Sequence, residues 1–170
     1  MKLEFLDGQV WAMSGGSIDH ARCTANISAM LSAALRGRPC AVYSPDLRVR
    51  AKATGLATYA DVTVICGKVE LDPADPKGHT ALNPHLIVEV LSPSTEAYDC
   101  GEKLQHYKTI PSLQEVLLVA HDRHDVEIVR READGTWSRH RVAHGIVHLA
   151  SLDHGELTVA EIYRDPLSDG

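Results

Sequence analysis

The segment His85–Leu91 constrains the fold of this chain more than any other. Apart from His85 and Glu89 it is apolar on both alternating faces, and such a strand is stable only where other elements cover both sides of its sheet. Glu115–Ala120 is a second short apolar segment of the same kind. The two segments predict the centre of a buried sheet with helices on its faces.

Helical periodicity predicts two helices that can cover this sheet. Apolar residues recur at helical spacing over residues 17–36, and Ser17 is a good N-cap for that helix. Asp99 and Glu102 have the spacing of a capping box, which predicts a second helix over about residues 100–109.

Shorter alternating segments complete the pattern. Asp-Gly pairs at residues 7–8 and 134–135 indicate two hairpin turns, and the polar, proline-containing stretch 67–84 predicts a surface loop. The remaining predicted strands are Leu3–Leu6, Gln9–Met13, Ala41–Tyr43, Leu47–Ala51, Thr58–Cys66, Asp125–Arg131 and Trp137–Val142, followed by weak strands and a short helix near residues 159–163.

The order of elements predicts one α/β domain, with a mixed central sheet flanked by helices, over residues 1–163 and a polar C-terminal tail over 164–170. The chain has 170 residues, of which 44% are hydrophobic, and this suits a single self-sufficient core. Its apolar runs are far shorter than the ~20 residues that span a bilayer, and no secretory signal is visible. We therefore expect a cytoplasmic protein without a membrane partner.

The charge balance restricts the possible partners only weakly. A formal net charge of -6, from 17 basic and 23 acidic residues, argues against a histone-like coat on nucleic acid, which needs clustered lysine and arginine. A nuclease remains compatible with this balance, because metal-binding carboxylates themselves lower the sum.

The four cysteines form no Cys-x-x-Cys pair, so neither a zinc ribbon nor a thioredoxin-type redox site is indicated. We expect all four to be reduced structural thiols. They are Cys23, Cys40, Cys66 and Cys100.

Glu89 is the most informative residue for function. An isolated buried carboxylate costs several kcal/mol, or takes up a proton, unless a cation or hydrogen bonds compensate it. Exposure at a sheet edge or a basic partner would also explain it. Asp61 opens the apolar run Val62–Cys66, where nearby backbone groups alone could satisfy it. If the two acids lie on adjacent strands, they form a two-carboxylate site that suits Mg²⁺.

Lys103 is the candidate cation for this site. It follows the Glu89 strand in the second predicted helix and shares a helical face with Tyr107 at i, i+4. An ammonium on that face can reach the end of the strand. The alternative is an ordinary solvent-exposed lysine.

Several short motifs follow one another in a specific order and spacing. They are Asp46–Val49, Tyr59–Val62, Ile87–Thr95 with Asp99, Lys103 and Tyr107 behind it, and Pro111–Glu115. Together they resemble the Uma family of restriction-endonuclease-like proteins, a branch of the PD-(D/E)XK nuclease superfamily. The resemblance covers nearly the whole chain and implies a restriction-endonuclease-like fold.

The resemblance implies metal-assisted hydrolysis of DNA phosphodiester bonds. Asp61 and Glu89 are then the two motif acids and would hold Mg²⁺, or alternatively Mn²⁺, together with the Val90 backbone carbonyl. The superfamily's lysine position two residues after the second acid holds Leu91 here. Lys103, from the following helix, is the residue that this sequence offers instead.

His20 is a further candidate catalytic residue. It follows a Ser-Gly-Gly-Ser stretch at a helix start, and a histidine in this context resembles the Uma pattern, which implies a position near the metal. The alternative is a capped surface turn with an exposed histidine.

Three functional hypotheses follow. The first is a divalent-metal-dependent endonuclease acting on DNA, as a homodimer because cutting two strands favours two active sites. The second is a catalytically inactive DNA-binding or regulatory module with the same fold, which Leu91 in the lysine position favours. The third is a metal-dependent hydrolase with a non-nucleic substrate, which the acidic net charge favours slightly.

Overall fold

The computed structural model describes residues 3–6, 8–12, 16–153 and 155–168. The strands are β1 (Leu3–Leu6), β2 (Gln9–Ala12), β3 (Cys40–Tyr43), β4 (Arg48–Arg50), β5 (Ala57–Thr58), β6 (Val62–Cys66), β7 (Thr80–Ala81), β8 (Leu86–Leu91), β9 (Glu115–Ala120), β10 (Val126–Arg131), β11 (Trp137–Val142), β12 (Ile146–Leu149) and β13 (Gly155–Thr158). The helices are α1 (Ile18–Ala34), α2 (Glu96–Tyr98), a π-helical turn (Asp99–Lys103), α3 (Leu104–Lys108) and α4 (Val159–Ile162).

A six-stranded sheet in the order β11-β10-β9-β8-β6-β3 forms the centre of the fold. Its two middle strands, β8 and β9, run parallel, and the other neighbours are antiparallel. Every side chain of β8 and β9 is buried, because α1, α4 and β13 pack on one face and α3 packs on the other. The predicted mixed sheet with helices on its faces is confirmed.

A second sheet, in the order β2-β1-β5-β4-β7, lies on the same side as α3. It shows that the single strand predicted over Thr58–Cys66 is wrong. The chain leaves the second sheet after β5 and enters the central sheet at β6, with Tyr59–Asp61 as the link. Alternation along a segment does not reveal that a strand changes sheets. The predicted loop 67–84 likewise contains β7, which pairs with β4.

The first helix is confirmed, ending at Ala34. The hairpins β1–β2 and β10–β11 are also confirmed, although Asp7 of the first turn and Met13 of the predicted second strand lie outside the described residues. The predicted weak strands and short helix near the C-terminus correspond to β12, β13 and α4. Within the described part of the chain, no helix has the length and apolar character needed to cross a membrane.

The capping box predicted for the second helix is wrong. Helical structure already begins at Glu96, and Asp99 lies inside it, 5% exposed. Its carboxylate accepts a hydrogen bond from Lys103 Nζ at 3.2 Å and does not cap the backbone. An acid with Glu three residues later and Lys four residues later fits both a capping box and an i, i+4 pair, and here the pair forms.

The expectation of four reduced thiols is also wrong. Cys40 and Cys66 lie directly opposite each other in the β3–β6 register and form a disulfide, whereas Cys23 and Cys100 are free. The pairing follows from strand register between segments 26 residues apart, which the spacing of cysteines alone does not show.

Thiol titration tests this pairing. Protein purified without reductant and then unfolded should show two reactive thiols per chain, rising to four after reduction, because only Cys23 and Cys100 are free. Four thiols before reduction would contradict the disulfide. A Cys23→Ser, Cys100→Ser double variant should then show none until it is reduced.

Candidate active site

A cleft of about 590 Å³ opens where β8 meets the start of β6, the first turn of α1 and the segment 96–108. Its wall also includes the β1–β2 hairpin. The structure brings together in this cleft every residue that the sequence singled out for the site, namely His20, Asp61, Glu89, Val90 and Lys103.

Glu89 lies inside the protein, 3% exposed, and meets the helical segment. Lys103 Nζ lies 2.9 Å from Glu89 Oε1, and the Tyr107 hydroxyl donates a hydrogen bond to the same oxygen. Lys103 is itself only 3% exposed, so the alternative of a solvent-exposed lysine is wrong. The shared face of Lys103 and Tyr107 is the one that meets the strand.

The burial of these groups shifts their protonation. Burial raises the pKa of the Glu89 carboxyl to about 8, and Asp99 and Asp61 act in the same direction while Lys103 opposes them. Burial alone would lower the pKa of Lys103, but Glu89, Tyr107 and Asp99 raise it well above its ordinary value. Lys103 therefore stays an ammonium ion, and the Glu89 carboxyl beside it takes up a proton at a higher pH than an ordinary glutamate does.

Asp61 lies beside this pair because of strand register. Val62 of β6 pairs with Val88 of β8 in antiparallel fashion, so the preceding Asp61 falls opposite Glu89. Its Oδ2 atom accepts the Val90 backbone N–H at 2.7 Å. The aspartate is therefore anchored to the backbone of the strand that carries Glu89.

His20 reaches the same carboxylate from the first turn of α1. Ser17 caps this helix by accepting the His20 backbone N–H at 3.2 Å, and His20 Nε2 lies 3.3 Å from Asp61 Oδ2. The hydrogen bond to Asp61 raises the pKa of His20, against the effect of burial. The negative charges of Asp61 and Glu89 and the Val90 backbone raise the pKa of His20 further. The turn is capped as the alternative supposed, but the histidine faces the cleft.

Gly16 is required for this arrangement. A Cβ atom at this position would overlap the His20 ring. The glycine next to the helix start therefore has a packing role in the site.

Sequence reasoning missed Glu4 as part of the site. Glu4 on β1 is 8% exposed and accepts a hydrogen bond from the Tyr98 hydroxyl at 2.8 Å. Because alternate residues of a strand share a face, Glu4 lies on the same side as the buried Leu6. The sequence signal that could have identified Glu4 is an acid on the inward face of an amphipathic hairpin.

The donor atoms fit a hard divalent cation. In the described parts of the chain, no group of three or more His, Cys, Asp and Glu side chains is placed to hold a metal ion. The cleft offers instead the oxygens of Asp61, Glu89 and the Val90 carbonyl. Mg²⁺ commonly binds one or two protein carboxylates and keeps waters or phosphate oxygens in its other positions, so this oxygen set suits it.

Comparisons with known proteins agree with this fold. A protein of Anabaena variabilis, described as "a putative nuclease belonging to DUF820", superposes with a TM-score of 0.77 at 13% identity, covering 95% of this chain and 89% of its own. Two Synechocystis sp. proteins, "Uncharacterized protein slr1290" and "Uncharacterized protein sll1609", are 39% and 33% identical, each over 80% of this chain and over 70% and 76% of their own lengths.

The family model Uma2, described as "Putative restriction endonuclease", matches residues 1–160. Family and fold together support a nuclease with the restriction-endonuclease-like architecture that the motifs implied. This chain belongs to the Uma2 family.

Proposed function

We propose that the protein is a divalent-metal-dependent endonuclease that hydrolyses phosphodiester bonds of DNA in the cleft at the end of β8. The observation that carries this proposal is the convergence of Asp61, Glu89 and Lys103. Three separate elements bring them to one cleft, with Lys103 Nζ 2.9 Å from Glu89 Oε1. Two acids can hold a divalent cation, and one ammonium can stabilise charge on phosphoryl oxygens, so this set of side chains suits the reaction.

Asp61, Glu89 and the Val90 carbonyl would hold Mg²⁺ or Mn²⁺. When bound, such an ion polarises the scissile phosphate and lowers the pKa of its water. The chain contributes by fixing the donors before substrate arrives. Asp61 is held by the Val90 N–H at 2.7 Å, and Glu89 is held by the Tyr107 hydroxyl. Donors that are already oriented lose less freedom when the complex forms.

Lys103 replaces the strand lysine of the superfamily. Leu91, in that position, is 5% exposed and packs in the core with Ile87, so it has no polar role. Lys103 reaches Glu89 from the helical segment and keeps its proton. We assign to it the stabilisation of charge that develops on the phosphoryl oxygens, or the orientation of the attacking water.

His20 contacts Asp61 Oδ2, the same oxygen that accepts the Val90 N–H, at 3.3 Å. Its raised pKa favours a protonated ring that donates a hydrogen bond to the carboxylate. We assign to His20 a supporting role in catalysis through Asp61 and Val90. The homodimer expected from cleavage of two strands stays a prediction.

A catalytically inactive DNA-binding or regulatory module is the second candidate. Leu91 in the lysine position favours it. The two candidates differ in whether Lys103 supports turnover, so hydrolysis by wild-type protein and by a Lys103 variant separates them.

The environment of Glu89 also differs from that of a structural acid. Glu115, on the adjacent strand, is fully buried and is paired with Arg130 at 2.7 Å. It also accepts the backbone N–H groups of Ala150 and Ser151. Glu115 thus contributes to stability, whereas Glu89 lines a cleft and has a pKa raised to about 8. A buried acid in a cleft with a strongly raised pKa indicates a functional role rather than a structural one.

Metal binding tests the ligand assignment. Asp61→Ala and Glu89→Ala should each stay folded and lose Mn²⁺ binding in calorimetry, because each removes one of the two carboxylates. Glu156→Ala is the matched control, since this acid is 56% exposed on β13, and it should bind Mn²⁺ like the wild type. Unchanged Mn²⁺ affinity in both cleft variants would remove the assignment.

Hydrolysis tests the role of Lys103. With Mg²⁺ or Mn²⁺, Lys103→Met should cleave DNA about a hundredfold or more slowly than wild type, as for loss of one transition-state donor. Lys108→Met is the control, because Lys108 lies on the same helical segment but contacts the Trp137 ring. Equal rates for all three proteins would refute the role. Salt-sensitive DNA binding without any hydrolysis would favour the inactive module.

Thermal unfolding tests the contrast between the two buried glutamates. A pKa raised on folding means that the folded state binds more protons, so Glu89 destabilises the fold as pH rises from its ordinary pKa towards about 8. In metal-free buffer, the Tm of Glu89→Gln relative to wild type should therefore increase from pH 5 to pH 8. Glu115→Gln should instead be less stable by about 2 kcal/mol, because charge-assisted bonds are lost. A Glu89→Gln protein as unstable as Glu115→Gln would make Glu89 a structural acid.

A further inference from the structure

Trp11 is exposed on the side of its hairpin where a core residue is expected. In the β1–β2 register Trp11 lies opposite Glu4, and on this face Glu4 and Leu6 are 8% and 7% exposed. Trp11 is nevertheless 45% exposed, because the active-site cleft and not the core lies over it. A large apolar ring is thus presented to the space that holds the proposed catalytic residues.

The charges of the cleft do not suit a phosphate backbone held by lysine and arginine. Four acids line it, namely Glu4, Asp61, Glu89 and Asp99. Among the described residues, its only basic side chains are those of His20 and Lys103, and both already contact carboxylates. Duplex DNA is bound largely through many contacts from basic side chains to phosphates. Lys103 is assigned above to the reacting phosphate, and apart from it and His20 the described residues of the cleft offer no basic side chain for the rest of a duplex backbone.

The cleft is lined by aromatic rings instead of further lysine and arginine side chains. Aromatic residues are only 5% of the chain, yet Trp11, Tyr59 and Tyr98 all line this one cleft. The hydroxyl of Tyr98 is tied to Glu4 at 2.8 Å, and Glu4 is the cross-strand neighbour of Trp11. The hydrogen bond therefore keeps Tyr98 next to the strand pair that carries the tryptophan.

We propose that the cleft binds an unpaired nucleotide of single-stranded DNA, whose base stacks on Trp11. Within a duplex both faces of each base are covered by its neighbours, so a ring in a cleft reaches only a base that has left the stack. Stacking tolerates any base and supplies affinity without lysine or arginine. The inference rests on the proposed function, since the strand bound at Trp11 is the one to be cut beside Asp61 and Glu89.

A single strand also changes what the assembly must do. One cleft is sufficient to cut one strand, so a homodimer is not required for turnover on this substrate. Single-strand binding can therefore be correct whether or not the protein forms a dimer with two paired active sites.

Fluorescence provides the binding test, because the chain has two tryptophans. Trp137 lies on β11, with Arg131 at 4.8 Å from its ring. Trp137→Phe leaves Trp11 as the single reporter. In Ca²⁺, with a gel to exclude cutting, a ten-nucleotide oligothymidylate should quench Trp11, and a blunt duplex of equal length should bind at least tenfold more weakly.

Substitution then tests the ring itself. Trp11→Ala should weaken single-strand binding about tenfold to one-hundredfold, the range found for one stacked base. Trp11→Phe should restore most of it, and Trp137→Ala should bind like wild type. Loss of binding in Trp11→Phe equal to that in Trp11→Ala would overturn the stacking role.

Hydrolysis in Mg²⁺ separates this inference from the nuclease proposal. We expect a single-stranded circle to be cut faster than its duplex form, with Trp11→Ala raising KM more than it lowers kcat. If the duplex form is cut as fast as the single-stranded circle, and Trp11→Ala has the kinetics of the wild type, the inference is overturned and the nuclease proposal stands. Binding through Trp11 without any hydrolysis supports the cleft assignment and overturns the nuclease. A Trp11→Ala protein that loses only dimerisation in sedimentation makes Trp11 a subunit contact and overturns the inference.

Discussion

The ion pair between Glu89 and Lys103 is the interaction on which the candidate site depends. A carboxylate in the middle of a fully buried strand needs a partner, and the partner comes from the helical segment that packs on that face. Asp99 and Tyr107 complete the set by contacting the ammonium and the carboxylate. The same contacts therefore fix the helical segment on the sheet and orient the acid. The packing of the helical segment and the proposed function of Glu89 therefore depend on the same contacts.

Burial of an acid is by itself a poor guide to function, as the two glutamates of adjacent strands show. Glu115 is more deeply buried than Glu89, but Arg130 and two backbone amides surround it, and it does not line the active-site cleft. Glu89 instead shares a cleft with Asp61, and burial raises its pKa. The property that distinguishes Glu89 is its access to the cleft, through which, in the proposed function, a cation from solution would reach it.

The parts of the fold and site that sequence predicted are those decided by local pattern. The apolar runs of β8 and β9 required a covered sheet, and the Glu89 carboxylate within one of them required a cation. What could not be predicted depended on where distant segments meet. The change of sheet at Tyr59–Asp61, the Cys40–Cys66 bond and the positions of Glu4 and Trp11 in the cleft all follow from tertiary placement. Alternation within the first hairpin predicts which face points inward. It does not predict that a cleft, and not the core, lies over part of that face.

The replacement of a strand lysine by a helix lysine has a consequence for the charge of the site. A lysine on β8 at the position of Leu91 would add a cation without adding an acid. Lys103 comes with Asp99, which accepts a hydrogen bond from it at 3.2 Å, so the exchange brings a further carboxylate into the cleft. The cleft then has more acidic than basic side chains, and in the proposed function a divalent ion would neutralise this excess before phosphate binds. Under the two proposals made above, substrate affinity would depend on the metal, held by Asp61 and Glu89, and on the apolar contact that Trp11 would supply.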